Sequence, residues 1–311
     1  MGQDAATTRP TGDEGTVDAG APHRARVMDG RPVARAVRAE VRARVGALRA
    51  RGVEPTLVVV LIGQDPGSEV YVRLKERACD QVGIASRVVR LPATVGQEEA
   101  MGAVRQATDD ASVHGVLVQL PLPRHLDPRP LLHAIDPAKD VDGFHPINVG
   151  RLAGDGGGLV PCTPKGVMRL LRAYDVPVRG AHAVVVGRSR VVGRPMAASL
   201  LAAHATVTVC HRLTPDPAAL ARQADILVCA VGQPGLVDAR WVKPGAAVVD
   251  VGITRTDAGL RGDCDAGSVA TVAGALTPVP GGVGPMTIAM LLDNTCEAAE
   301  RQARGDAFGA P

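Results

Sequence analysis

Tyr71 and Lys75 are four residues apart, a spacing that puts an aromatic ring and an amine on one face of a helix. At the mouth of a sheet such a pair could stack on a planar substrate and move its protons; alone, it reads equally as a half-buried tyrosine beside a solvated lysine. Gln119 closes an apolar run, where its amide could hold a lysine amine or a substrate carbonyl, or simply be satisfied by backbone. Asp140 and Asp142 sit in a loop with Gly143, but no further oxygen ligand follows at calcium-loop spacing, so no metal is expected. Asp142 suits the role of acceptor for paired N–H donors of a heterocycle, and Asp140 remains open as a structural turn.

A second chemistry is written in Ala183-Val184-Val185-Val186-Gly187-Arg188-Ser189-Arg190-Val191-Val192-Gly193-Arg194-Pro195. A β-branched run, a glycine loop and a helix start form the opening of a dinucleotide-binding βαβ unit, although the loop reads G-x-S-x-x-x-G. Gly187 permits the turn and Gly193 a close helix approach, and exposed N–H groups at the helix start would take the pyrophosphate. The next strand ends in Cys210-His211-Arg212, with no acid to hold a ribose 2′-hydroxyl. Cations at Arg188 and Arg212 favour the 2′-phosphate of NADP, while a merely solvated Arg212 is the alternative.

The elements that must carry these residues follow from pattern. Residues 56–63 (TLVVVLIG) read as a strand buried on both faces. Turn residues 64–67 follow, with Ser68 as helix N-cap and the helix ending near Gly83. Residues 33–48 form an amphipathic helix with a solvated arginine face. Residues 86–91 are a strand, 96–109 a helix and 115–120 a strand, so the first domain is α/β with a mainly parallel sheet. Thr163 caps a helix entered at Pro164. Helix 196–204, strand 206–210 and strands within 224–232 and 246–252 build the second unit. A rigid glycine-lined loop at 276–287 precedes a last helix over 287–301.

Composition narrows the class. Two tyrosines, two phenylalanines and one tryptophan in 311 residues leave a core of aliphatic side chains, so a tyrosine is poor filler. A net charge of +3 with scattered arginines is too weak for nucleic acid and suits an anionic small molecule. Six cysteines without C-x-x-C spacing read as reduced thiols of a cytoplasmic protein. Residues 1–24 have no signal-peptide apolar core and read as a disordered extension, and no stretch reaches membrane-span length.

Six blocks together carry a resemblance: Tyr71-x-x-x-Lys75, residues 118–123 (VQLPLP), 140–143 (DVDG), 161–164 (PCTP), the 187–195 loop and residues 278–287 (PVPGGVGPMT). In this order, over about residues 26–301, they resemble the bifunctional methylenetetrahydrofolate dehydrogenase/cyclohydrolase family. The resemblance implies two α/β domains, the second a Rossmann-like doubly wound parallel sheet, with the active cleft between them. It implies a folate-binding domain over residues 25–160 completed by a helix at 285–303, an NADP-binding domain over 161–284 and a tail at 304–311. It further implies NADP-dependent oxidation of 5,10-methylenetetrahydrofolate and hydrolysis of the methenyl product to 10-formyltetrahydrofolate.

Lys75 is then the acid/base, positioned by Gln119, and Tyr71 stacks on the pterin. Val118, Leu120, Asp142, Pro280, Gly281, Gly282, Val283 and Gly284 line the folate site. Gly187, Arg188, Ser189, Gly193, Arg212, Gly232, Ile253 and Thr287 contact the cofactor. A homodimer through the cofactor domain, with no membrane or nucleic-acid partner, completes the expectation. Arg212 stands where the family has serine, which is a departure bearing on cofactor choice. A monofunctional dehydrogenase and a non-catalytic folate- or nucleotide-binding protein are the rival readings.

Overall fold

The computed structural model describes residues 24–154, 156–257 and 259–306. Residues 1–23 of the expected disordered extension and residues 307–311 of the expected tail thus lie outside the described residues. In chain order the elements are β1 (Arg26–Val27), α1 (Gly30–Ala50), β2 (Thr56–Ile62), α2 (Pro66–Val82), β3 (Ala85–Leu91), α3 (Gln97–Asp109) and β4 (Gly115–Val118). Helices α4 (Pro128–His133), α5 (Pro146–Ala153) and α6 (Cys162–Ala173) lead to β5 (His182–Val186), α7 (Gly193–Ala202), β6 (Thr206–Cys210), α8 (Pro217–Ala221) and β7 (Ile226–Cys229). Then come β8 (Ala247–Asp250), the hairpin β9 (Thr254–Thr256) and β10 (Gly259–Arg261), α9 (Ala266–Val269), β11 (Ala275–Leu276) and α10 (Val283–Arg304).

Two parallel sheets result. The first has the order β3-β2-β4. Every residue of β2 is buried because alternate side chains face different layers. Leu57, Val59 and Leu61 meet α1, α2 and α10, whereas Val58, Val60 and Ile62 share a core with Ala100, Val104 and Leu131 of α3 and α4. α1 buries Ala34, Val37, Val41, Val45 and Leu48 at helical spacing, so the amphipathic pattern is realised, over a longer span than residues 33–48.

The second sheet has the order β6-β5-β7-β8-β11-β1, parallel throughout. Counted from β5, its first five strands run 2-1-3-4-5, a doubly wound order whose switch point lies between β5 and β7. Alternating residues again feed two cores, Val184, Val186 and Leu227 on one face, Ala183, Val185 and Val228 on the other. Strand β1 belongs to this second sheet, since Arg26 and Val27 pair with Ala275 and Leu276. α10 returns across α1, α6 and α2, burying Met286, Ala289, Met290, Leu292 and Cys296. Truncating such a side chain, as in Leu292→Ala, costs roughly 2–5 kcal/mol.

Several local expectations shift. Asp65, not Ser68, caps α2: its carboxylate accepts from the Ser68 N–H at 2.7 Å and the Ser68 hydroxyl at 2.9 Å. Asp65 stands ahead of Pro66 at the cap position, where its carboxylate reaches the free N–H groups of the first turn, whereas Ser68 is already inside that turn. Helix α6 begins at Cys162 behind Pro161, without a side-chain cap, so Thr163 is released from capping. Strand β4 stops at Val118, two residues short of the expected end, ahead of Pro121, which has no N–H to extend the ladder. α10 starts at Val283 rather than Thr287.

Candidate functional site

The carboxyl end of the first sheet, the start of α6 and the start of α10 converge on a cavity of about 160 Å³. It is lined by Lys75, Val118, Gln119, Leu120, Asp142, Phe144, Cys162, Thr163, Val191 and Thr287. Lys75, on the third turn of α2, donates to Gln119 Oε1 at 2.9 Å. The Gln119 amide nitrogen donates in turn to Leu120 O at 2.7 Å, which orients the oxygen toward the amine. The acceptor holding the Lys75 amine is a neutral amide, and among the described residues no carboxylate is hydrogen-bonded to that amine.

Asp142 reaches the same cavity from the α4–α5 loop. Burial raises its pKa from the ordinary 3.8, opposed by the Lys75 charge and by the Cys162 thiol, whose sulfur lies 3.8 Å from Oδ1. Asp140 is different: 1 % exposed, it accepts from the His145 N–H and from Asn148 Nδ2, both at 2.8 Å. Burial pushes its pKa up to about 6, against those hydrogen bonds. Asp140 is the structural turn, and the two acids divide their work. Thr163 and Thr287 share a 3.0 Å hydrogen bond across the cavity floor, joining α6 to α10.

Not all expected residues converge there. Tyr71 is 45 % exposed and does not line the cavity; it stands one helical turn outside Lys75, beside exposed Val70 and Leu74. Pro280, Gly281 and Gly282 do not line it either. Gly281 O accepts from the Gly30 N–H at 2.9 Å, and a methyl on Gly30 would collide with Gly282 O, so this loop packs on the start of α1. Gly284 lies near Ile253, whose Cδ1 would be 3.5 Å from a methyl at Gly284.

The glycine loop after β5 sits at the switch point of the second sheet. Gly187 has φ +122°, and a Cβ there would approach Ala230 O to 2.2 Å. A Cβ on Gly193 would meet Gly187 O at 2.2 Å, so strand end and helix start touch backbone to backbone. The helix start is not bare: Ser189 Oγ accepts from Val192 N at 3.1 Å and Gly193 N at 3.3 Å. The N–H groups expected for a pyrophosphate are therefore partly taken by Ser189. Around them Arg188, Arg190, Arg194 and Arg212 are exposed, and their side chains make no hydrogen bond or ion pair within the described residues. Arg212 is carried on a turn closed by Thr214, which accepts from the His211 N–H at 3.0 Å, next to Cys210 O that accepts from Gly187 N.

Two buried acids escaped sequence reasoning. Asp263 accepts from the N–H groups of Val231, Gly232 and Gln233, at 2.6, 3.2 and 2.8 Å, and thereby shapes the Gly232 turn. Asp250 accepts from Gly252, Asp263 and Cys264. Their signal is indirect: Gly252 and Gly262 face the carboxylates of Asp263 and Asp250, where any Cβ would collide. Cys162, Phe144 and Val191 also line the cavity without having been expected there. Among the described residues no cluster of His, Cys, Asp or Glu could hold a metal ion.

A glycine loop at the switch point of a doubly wound sheet, joined to a lysine-centred cavity on another parallel sheet, defines a two-domain nucleotide-dependent enzyme. Comparison with known proteins narrows the class. Residues 28–142 match the catalytic domain, and residues 161–303 the NAD(P)-binding domain, of tetrahydrofolate dehydrogenase/cyclohydrolase. The bifunctional protein FolD of Acidiphilium cryptum is 58% identical over 276 residues, 88% of this chain and 98% of the relative. A FolD structure from Campylobacter jejuni superposes with TM-score 0.87 at 46% identity, covering 89% of this chain and 99% of that one. The Trypanosoma brucei dehydrogenase-cyclohydrolase, solved with NADP cofactor and inhibitor, gives TM-score 0.86 at 42% identity, covering 90% and 99%. The chain belongs to the tetrahydrofolate dehydrogenase/cyclohydrolase family.

Proposed function

We infer that this protein oxidises 5,10-methylenetetrahydrofolate to the methenyl form with NADP and hydrolyses that product to 10-formyltetrahydrofolate. The observation that carries the reading is the Lys75–Gln119 hydrogen bond in one cavity with Asp142. NADP fits the second domain on its own features. Gly187 and Gly193 let strand end and helix start meet backbone to backbone at the switch point, and Arg188 and Arg212, without hydrogen-bond or ion-pair partners among the described residues, follow the ends of β5 and β6. When bound, the nicotinamide supplies the hydride acceptor.

The chain's own residues do the rest. Asp142 accepts from the pterin's amino and ring N–H groups, fixing the ring in register. Tyr71, exposed one helical turn from Lys75, offers its face to the substrate's aromatic part. Val118, Leu120 and Phe144 exclude water from the apolar side of the ring, and Val191 brings the cofactor loop into the same wall. The residues from Pro280 to Gly284 brace α10 and α1 from outside the enclosed part, with Val283 and Gly284 leading to Thr287. Gly232, shaped by Asp263, and Ile253 border the cofactor side. In hydrolysis Lys75 takes one proton from the attacking water and returns it to the pterin nitrogen as the carbon–nitrogen bond breaks, the second water proton leaves to solvent as the formyl C=O forms, and Gln119 holds the amine in line.

The folate domain over residues 25–160 with α10, and the NADP domain over 161–284, share the work, although β1 completes the second sheet. A homodimer is the assembly favoured by the open edge of β6, where Val209 is exposed, with Leu201 and Leu213 nearby. Six buried free thiols suit the reducing cytoplasm. Methenyltetrahydrofolate absorbance followed with NADP and with NAD tests the reading. Formation and decay of the methenyl band with NADP support it; formation without decay returns the monofunctional alternative, and no formation rejects the function.

A further inference from the structure

Asn294, on α10, is buried completely and lies outside the cavity. Its Nδ2 donates to two main-chain oxygens, Val141 O and Val160 O, both at 2.8 Å. Those carbonyls flank the site from two directions: Val141 immediately precedes Asp142, and Val160 precedes the Pro161-Cys162 entry to α6. An amide nitrogen has two hydrogens, and both are used here. The amide's orientation is set from the far side, because Lys165 Nζ, a donor only, sits 2.7 Å from Asn294 Oδ1. Lys165 is itself fixed by ion pairs to Asp293 at 2.6 Å and Glu297 at 2.9 Å. Burial would lower the Lys165 pKa, but those two carboxylates outweigh it and keep the ammonium charged.

We propose that Lys165 and Asn294 form a positioning relay for Asp142, so that the largely buried ion pairs between α6 and α10 set where the substrate-binding carboxylate stands. The physical chain is short. The ammonium dictates which end of the Asn294 amide faces inward, the amide pins Val141 O, and the peptide after Val141 carries the Asp142 side chain. The Cys162 thiol, 3.3 Å from the same Val141 O and 3.7 Å from Asn294 Nδ2, packs against the pinned carbonyl. Neither Asn294 nor Lys165 touches the cavity, so both are positioning residues. The inference rests on the reading of Asp142 as the folate acceptor.

Asn294→Asp keeps the oxygen facing Lys165 and replaces the inward donor with an oxygen aimed at two carbonyls. KM for methylenetetrahydrofolate should rise about 10-fold or more, the scale of leaving buried acceptors unmatched, with NADP affinity unchanged by direct titration. Lys165→Met frees the amide to rotate and should raise KM several-fold, whereas Lys165→Arg, still a donor, should restore it. In an Asp142→Asn background Asn294→Asp should add nothing further, because the relay acts through that carboxylate. A merely structural role predicts otherwise: equal losses of folate and NADP affinity tracking the melting temperature. That pattern overturns the proposal, as does unchanged folate KM in Lys165→Met, which stays informative should Asn294→Asp not fold. If Asp142→Asn itself leaves folate binding intact, the reading of the site fails; if only the relay variants are silent, the relay alone fails.

Discussion

The folate cavity and the cofactor loop solve opposite problems with polar groups. In the cavity, Lys75 and Gln119 are hydrogen-bonded to each other and Asp142 is desolvated beside a thiol. At the cofactor loop, four arginine side chains stand exposed without a hydrogen bond or ion pair among the described residues. Proton transfer and heterocycle recognition require atoms held within tenths of an ångström, so those groups are braced before substrate arrives. Phosphate recognition tolerates looser geometry, and its energy comes from charges left free to be neutralised on binding. The cavity is pre-ordered; the loop is pre-charged.

The sharpest test of that contrast is Lys75→Met. Methenyl hydrolysis should fall on the order of 100-fold or more, as on removal of a positioned acid/base, with NADP binding retained. Wild-type hydrolysis rates in this variant would break the comparison on the cavity side. Next in size, Asp142→Asn places a donor against the pterin's donors and should weaken folate binding roughly 10- to 100-fold, sparing NADP. The pH dependence has a definite sign. Burial raises the Asp142 pKa above 3.8, so acidification protonates it earlier than an exposed aspartate. Wild-type folate affinity should therefore drop as pH falls, and the Asn variant's should stay flat in the same titrations.

On the loop side Arg212→Ala should weaken NADP about 10-fold, the lower end for a charge-assisted hydrogen bond, since the side chain is solvated in the free protein. NAD affinity should be unchanged; equal losses for both cofactors, or none, would retire Arg212 as a phosphate contact. The smallest effect on catalysis belongs to Asp140, whose contribution is to stability. Its pKa is higher folded, about 6, than the ordinary 3.8, so its stabilisation is complete below 3.8 and is lost as pH rises through about 6. Denaturant titrations should show wild type losing on the order of 3 kcal/mol relative to Asp140→Asn across that window. Parallel curves would show that the burial of Asp140 has no energetic consequence.

Much of the framework was legible in the linear chain because its signals are local. A seven-residue β-branched run, β2, can only be a strand covered on both sides, and the α1 stripe of Ala34, Val37, Val41 and Val45 can only face a core. Tyr71, Lys75, Gln119 and Asp142 were identifiable as types at informative spacings, and the glycines of the 187–193 loop announced a backbone approach that the contact with Ala230 O explains. Caps and element ends were less legible, since Asp65 and Ser68 are both good cap residues and only the helix start, at Pro66, decides between them.

Tertiary structure alone decided which of those residues meet. Lys75 and Gln119 are 44 positions apart, and their contact exists because β2 and β4 pair in register. Gly281 and Gly282 went to α1 rather than to the cavity because Gly30 accepts no side chain against them. Asp250 and Asp263 gained their roles from a return of the chain that no spacing encodes. The Lys165–Asn294–Val141 link spans residues from 141 to 294. Sequence pattern determines elements because periodicity and side-chain shape act over a few residues. It leaves the joining of distant polar groups to the packing of whole layers, where a hydrogen bond is made only after the chain has closed.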